Sequence, residues 1–331
     1  MAAKPACLGD FFDVHVQSLP VPRIVVFSCI WFLQSPASGP DFNPCRSQPK
    51  QFLLNSARSC PPQTVLITGA SSGIGKGLAI EYSKPGVTVL LTGRNVDRLA
   101  DVAADCKSRG ANVVLHALDV TDRQATEKWV AAMDKEHKID LAFANAGVST
   151  NTAGTEPDDV AGCTRALFAA NVDGVFNTLL PLVEPMKARK SGQLVVMSSQ
   201  ASFAPMNSYT YNATKAAVRF WAEGLRHDLA AWGIAVNVIC PGFVRSPMTD
   251  VNAFHMPGIV EMNQAINAMV TGLARNDAVI TFPCVTFLGA AFFGALPPAV
   301  RQAIGDSRFM SCLKTRRSTK QRTNVGAGGA E

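Results

Sequence analysis

The 331-residue chain has no paired cysteine framework. Its nine Cys are scattered and odd in number, with no CxxC, which excludes a disulfide-stapled secreted scaffold and points to a reducing, intracellular compartment. Cys106, Cys163, Cys240 and Cys284 fall in apolar or helical contexts and read as small buried hydrophobes. The five His are isolated, so no metal site is expected. Acids are scarce at both ends. Residues 1–62 hold five Lys/Arg against three Asp, and residues 301–331 hold seven against two acids. The net charge of +6 therefore sits in the ends, and the residues between carry 19 basic and 20 acidic side chains. A near-neutral body lacks the basic face that nucleic acid requires, so no nucleic-acid partner is expected.

What is present is apolar and regular. Hydrophobic residues make up 47% of the chain, enough for a large core. From Gln63 onward short β-branched runs recur at 64–69, 87–92, 112–117, 139–144, 193–198 and 234–239. Amphipathic helical patterns such as VDRLADVAADCKSRG separate them. Strands buried on both faces and spaced by helices predict an α/β fold, a doubly wound parallel β-sheet in three α/β/α layers. The organisation predicted is an N-terminal extension over 1–62, a catalytic domain over 63–276 with a substrate lid at 247–275, an apolar segment at 277–300 and a basic tail at 301–331.

The extension is rich in Pro and Ser and contains IVVFSCIWFL (24–33), too short to span a bilayer. It reads either as a signal or organelle-targeting segment or as a misassigned first exon. Residues 278–296 run for nineteen positions without a charge. Two readings stand: a last strand followed by an apolar core helix, or a membrane-associating segment assisted by the basic run KTRRSTKQR (314–322). The location is accordingly cytoplasmic or membrane-associated.

The first strand runs into TGASSGIG, where Gly69, Gly73 and Gly75 follow a strand and open a helix. In that context glycines permit a sharp turn and close approach to a pyrophosphate, and the helix start offers free N–H groups to it. At the end of the second strand, where an acid would hold adenosine ribose hydroxyls, the chain has Arg94 and no acid until Asp97. With Lys76 as a second cation, that favours a 2′-phosphate, hence NADP(H) over NAD(H). Further along, SYTYNATKAA places Tyr211 and Lys215 four residues apart on one helical face, whereas Tyr209 lies about 160° round the axis from Tyr211. An ammonium beside a phenol lowers the phenol's pKa.

Together these elements resemble the short-chain dehydrogenase/reductase family, with its Rossmann-type nucleotide-binding fold, over about residues 63–250. The resemblance implies cofactor contacts from Gly69, Ser71, Ser72, Gly73, Ile74 and Gly75 in the loop and from Asp119 and Val120 in LDVTD. It implies further contacts from Asn145, Ala146 and Gly147 in ANAG, and from Pro241, Gly242, Val244 and Ser246 in ICPGFVRSPM. It also implies that Tyr211 is the general acid, that Lys215 tunes it and binds the nicotinamide ribose, that a serine polarises the carbonyl and that Asn171 orders a proton-relay water. The serine is ambiguous. Ser198 stands thirteen residues before Tyr211, the family's usual spacing, and Ser199 twelve. The strand end VVMSS favours Ser199, and successive strand residues point to opposite faces, so the two are not interchangeable.

Four Met (248, 256, 262, 269) and Phe254 in the lid, with Phe203, Pro205 and Met206, predict an apolar wall. The expected activity is NADP(H)-dependent hydride transfer between nicotinamide and an apolar carbonyl or secondary alcohol. The alternative is a catalytically weak NADP(H)-binding protein with a regulatory or scaffolding role. A homo-oligomer is left open, since the sequence does not set the oligomeric state.

Overall fold

The computed structural model describes residues 61–156, 159–205, 208–252 and 256–306. The expected extension up to residue 60, the basic run 314–322, Met206 and Phe254 lie outside them. In chain order the elements are β1 (Thr64–Thr68), α1 (Gly73–Tyr82), β2 (Thr88–Gly93), α2 (Val96–Ser108), β3 (Asn112–Ala117), α3 (Arg123–His137) and β4 (Leu141–Ala144). Then follow α4 (Val160–Phe168), α5 (Gly174–Arg189), β5 (Gly192–Met197), α6 (Tyr209–Ala230) and β6 (Ile234–Pro241). The chain continues through α7 (Pro247–Asp250), α8 (Met262–Ala274), β7 (Val279–Phe282), α9 (Cys284–Ala295) and α10 (Pro298–Asp306).

All strand pairs are parallel, in the order β3-β2-β1-β4-β5-β6-β7. The chain winds outward from β1 through β2 and β3, then returns to β4 on the other side of β1. That reversal opens a crevice beyond the carboxyl ends of β1 and β4, where such sheets receive ligands. Successive strand residues serve opposite cores. Val65, Ile67, Leu141, Phe143 and Val195 pack with α1, α2 and α8, whereas Leu66, Ala142, Leu194 and Val196 pack with α3, α5 and α6. This is why the strands read as continuous apolar runs and not as alternating ones.

Short polar side chains set the helix starts. Asn95 Oδ1 accepts from the Arg98 amide at 2.8 Å and Asp122 Oδ1 from the Ala125 amide at 2.9 Å. Each satisfies an N–H that the first turn leaves without an intrahelical partner. Between α4 and α5 the helix loosens into a π turn over Ala169–Asp173. The run from Val160 to Arg189 is long and apolar enough to cross a membrane, but most of it is buried within the fold and serves as core.

The lid region is less free than its Met pattern implied. Met269 is fully buried and Met262 packs against the same core, so α8 is largely a structural helix against α1. Cys284 also differs from expectation, being exposed.

Candidate active site

The glycine loop is built around contacts that leave no room for side chains. Gly69 has φ +66°, and a Cβ there would come within 2.8 Å of the Ala146 Cα. A Cβ on Gly75 would collide with the Gly69 carbonyl and stand 2.7 Å from Asn145 Nδ2. Only glycine satisfies both the backbone angle at 69 and the approach at 75. Asn145 fastens the end of β4 to this loop, donating from Nδ2 to the Thr68 carbonyl at 2.9 Å. Thr68 Oγ1 in turn accepts from the Asn145 and Ala146 amides, each at 3.1 Å. Ser246, far along the chain, reaches over the loop: a Cβ on Gly73 would lie 3.6 Å from its Cβ. The crevice therefore has backbone N–H groups on one side and a hydroxyl on the other, the cradle that a dinucleotide pyrophosphate fits.

Beside this loop, at its α1–α2 side, an open cleft of about 470 Å³ is lined by Ser71, Ser72, Lys76, Arg98, Arg245 and neighbours. It does not reach Tyr211. Its cations are largely engaged. Lys76 pairs with Asp105 at 3.0 Å and Arg245 with Glu261 at 2.8 Å. Arg94 is exposed at the end of β2, 3.9 Å from Asp119. Asp119 also accepts from the Thr121 amide and hydroxyl, and Val120 beside it is buried under Gly174. Ile74 packs against the core, and Val244 bridges to Val260.

At the far end of the crevice the structure separates the two candidate serines. Ser198 is buried, and its Oγ donates to the Lys215 carbonyl at 2.8 Å, inside the sheet–helix interface. Ser199 is half-buried, its hydroxyl 3.4 Å from the Pro241 carbonyl and near enough to the Tyr211 phenol to lower that phenol's pKa. The same hydroxyl accepts from the Ala201 amide at 3.1 Å and so starts the short turn Gln200–Phe203. The one-residue alternation of a strand end places the neighbours on opposite sides. Gly242, which follows the Pro241 strand end, approaches Gln200 Oε1 so closely that a Cβ would lie 3.0 Å from it.

Lys215 is buried, with Nζ donating to the Met197 carbonyl at 2.9 Å and standing 5.7 Å from the centre of the Tyr211 ring. Burial pulls its ammonium down to about 8. Burial also pushes the Tyr211 phenol above its ordinary value, with the Ser199 hydrogen bond opposing in part. The direction at Tyr211 is opposite to the one the Tyr–Lys spacing suggested. In the protein alone the loss of solvent outweighs the ammonium, which points to a backbone carbonyl and not to the phenol. Tyr209 is 66% exposed and makes no part of this cluster.

Asn171 is fully buried in the π turn. It accepts from the Val148 amide at 2.8 Å and donates to the Val148 carbonyl at 3.0 Å and to Thr214 Oγ1 at 3.1 Å. Gly147 lies between it and Lys215: a Cβ there would be 2.8 Å from Asn171 Oδ1 and 3.4 Å from Lys215 Nζ. A widened helical turn of this kind often marks a functional position.

Two contributors were not read from the sequence, and a third, Cys240, was read only as a buried hydrophobe. Thr214 anchors Asn171. Gln200 Nε2 donates to Pro283 O at 3.0 Å and to Thr281 Oγ1 at 3.1 Å, tying the turn after Ser199 to β7 and the start of α9. Cys240 sits behind the cluster, its thiol pushed up to about 11 by burial. Their positions next to TK, SS and PG were the available signal, but their partners are sequence-distant.

The model of the short chain dehydrogenase family matches residues 63–255. An uncharacterised oxidoreductase of Myxococcus xanthus is 38% identical over 225 residues, covering 67% of this chain and 87% of that protein. The serine 3-dehydrogenase of Agrobacterium fabrum is 35% identical over 188 residues, 56% of this chain and 74% of that protein. Among solved structures, a short-chain dehydrogenase from Sphingobium yanoikuyae in complex with NADPH superposes with a TM-score of 0.62 at 28% identity, covering 74% of this chain and 96% of that one.

Proposed function

The chain belongs to the short-chain dehydrogenase family and is an oxidoreductase acting between CH–OH and C=O groups; on that premise we propose that it is NADP(H)-dependent and works on an apolar carbonyl or secondary alcohol. A bound nicotinamide dinucleotide supplies the hydride. The observation that carries the reading is the meeting of the Ser199 hydroxyl, the Tyr211 phenol and the Lys215 ammonium beyond the ends of β5 and β6.

In this reading Ser199 donates its hydroxyl hydrogen to the substrate oxygen, holding the charge that develops there. Tyr211 then delivers its phenolic proton to that oxygen. A neutral phenol is the form a proton donor needs, and burial keeps it neutral. Lys215, lowered to about 8 and held by the Met197 carbonyl, is placed to bind the nicotinamide ribose and to hand a proton back to Tyr211. Asn171 fixes the Val148 backbone and Thr214 around that lysine. In the reverse direction the same groups act as base and relay.

For the cofactor, exposed Arg94 and the Arg98 side of the cleft support a 2′-phosphate, although Asp101 lines the same cleft and Asp119 stands beside Arg94. In this reading Asp119, 3.9 Å from Arg94, flanks the adenine. For the substrate, Tyr211 packs on a small buried apolar cluster of Val148, Leu167 and Ala170, with Ala153 and Cys163 against it. The Agrobacterium relative is named for serine; apolar surroundings of Tyr211 favour a lipid-like substrate instead. Exposed Leu180 on α5 and Phe220 on α6 support a homo-oligomer.

The test is a panel of apolar and polar carbonyls and alcohols followed by nicotinamide absorbance with both cofactors, on wild type and Tyr211→Phe. Turnover of apolar ketones with NADPH that Tyr211→Phe removes supports the proposal. Tight NADPH binding with no turnover across the panel would leave the alternative, a binding protein with a regulatory role. Turnover that survives Tyr211→Phe would refute the role assigned to that residue.

A further inference from the structure

Helix α9 carries no charge from Cys284 to Ala295, yet none of its residues is buried. One flank leans on the turn after Ser199. Thr286 Oγ1 donates to Gln200 Oε1 at 2.7 Å, the Phe287 ring meets the Phe203 ring edge-on at 5.1 Å, and Gly294 approaches the Phe203 carbonyl so closely that a side chain would collide with it. The other flank faces outward, with Val285 81%, Leu288 59% and Phe292 71% exposed. At i, i+3 and i+7 these three share one face. The outward face of a surface helix is ordinarily polar, so an apolar stripe there calls for a cover.

Of the two sequence-based readings of 278–296, the last strand of the first formed as β7 but the helix after it is not core, while the membrane-associating reading fits an outward apolar stripe. A core helix would bury residues, and α9 buries none. Its twelve residues rise only about 18 Å, short of a hydrocarbon core of about 30 Å, so it does not span. We propose that α9 lies in the interface of an anionic bilayer, with Val285, Leu288 and Phe292 turned into the acyl region. The charge of the chain selects that cover. Beyond Asp306 come Arg308, Lys314, Arg316, Arg317, Lys320 and Arg322, with Glu331 the single acid. A second copy would bring two such basic stretches together, and residues 1–62 are themselves net basic. Anionic lipid headgroups satisfy both the apolar stripe and the basic run. Because α9 leans on Gln200 and Phe203, docking sets the turn after Ser199 close to the membrane, where an apolar substrate resides. The docking itself does not depend on the hydride chemistry.

The experiment is flotation of the full-length protein with vesicles of phosphatidylcholine alone and of an equimolar mixture with phosphatidylserine. Wild type is expected to float with the anionic vesicles and to be released by salt. The double variant L288D/F292D changes exposed side chains only and is expected to lower partitioning about thirty-fold. R316Q/R317Q, outside the described fold, is expected to lower it by a similar factor at low ionic strength, at about fivefold per charge. Melting temperature and NADPH binding report whether each variant remains folded. No flotation with anionic vesicles overturns the proposal. So does flotation that L288D/F292D leaves unchanged, which would assign lipid binding to another segment. A lipid-independent change of oligomeric state in that variant, without flotation of wild type, would assign the stripe to a second copy and equally overturn it.

Discussion

Ser198 Oγ donates to the Lys215 carbonyl across 17 residues of sequence, while its neighbour Ser199 accepts from the Ala201 amide at 3.1 Å and lies beside the Tyr211 phenol, whose pKa it lowers. One residue along the strand end thus gives the two hydroxyls different partners. Ser198→Ala should cost about 1 kcal/mol of stability, the net value of one buried hydrogen bond, and leave kcat nearly intact. Ser199→Ala should lower kcat by about 10²-fold or more with little change in melting temperature. Parallel denaturation and turnover measurements on the two variants check this. The reverse pattern would reassign the serine.

Lys215 adds a pH signature. Its folded pKa, about 8, lies below the ordinary lysine value, so between about pH 8 and 10.5 the unfolded chain binds more protons than the folded one. Its burial cost is therefore full below pH 8 and is relieved as pH rises. Cys240 and Tyr211 are raised and act in the opposite sense at higher pH, above about 9 and 10 respectively. Between pH 8 and 9 wild type should gain stability relative to Lys215→Met by up to about 1.4 kcal/mol. Denaturant midpoints for both proteins at pH 7, 8 and 9 would show it; parallel lines would mean that the lysine is not buried as a cation in the folded state.

Arg94 is exposed and only 3.9 Å from Asp119, so its charge can be reversed without disturbing the core. Arg94→Asp should weaken NADPH binding about tenfold or more while NADH is little affected, as measured by titration of both cofactors. Equal effects on the two would remove Arg94 from recognition of the 2′-phosphate.

Gly147 offers a steric test of the Asn171 arrangement. Alanine there would stand 2.8 Å from Asn171 Oδ1, forcing the amide off Val148. Gly147→Ala should destabilise by about 1–3 kcal/mol, the usual cost of overpacking, and lower kcat beyond what the lost stability explains. Unaltered kcat at a temperature where the variant is fully folded would separate Asn171 from the chemistry.

Much of this was legible in advance because it is local. The runs TVLIT and GQLVVM are buried at every residue, since the sheet they form is covered on both faces, and all six strands expected from such runs formed at nearly the expected positions. The four-residue step from Tyr211 to Lys215 is a property of one helix, and both lie on α6. The lid Met residues were less legible, since helical spacing alone does not say whether Met269 faces a cleft or the core. Thr214 and Gln200 escaped notice, and Cys240 was read only as a buried hydrophobe, because their partners are brought to them by other strands and helices.

The sequence by itself determined the alternation of strand and helix, the glycine turn and the tyrosine–lysine face, because periodicity and backbone freedom are encoded within a few neighbouring residues. Only the tertiary structure decided which serine meets Tyr211, that solvent exclusion outweighs the ammonium at that phenol, and that α9 turns its apolar stripe outward. Those outcomes depend on burial and on distances between groups far apart in the chain, and packing alone sets them.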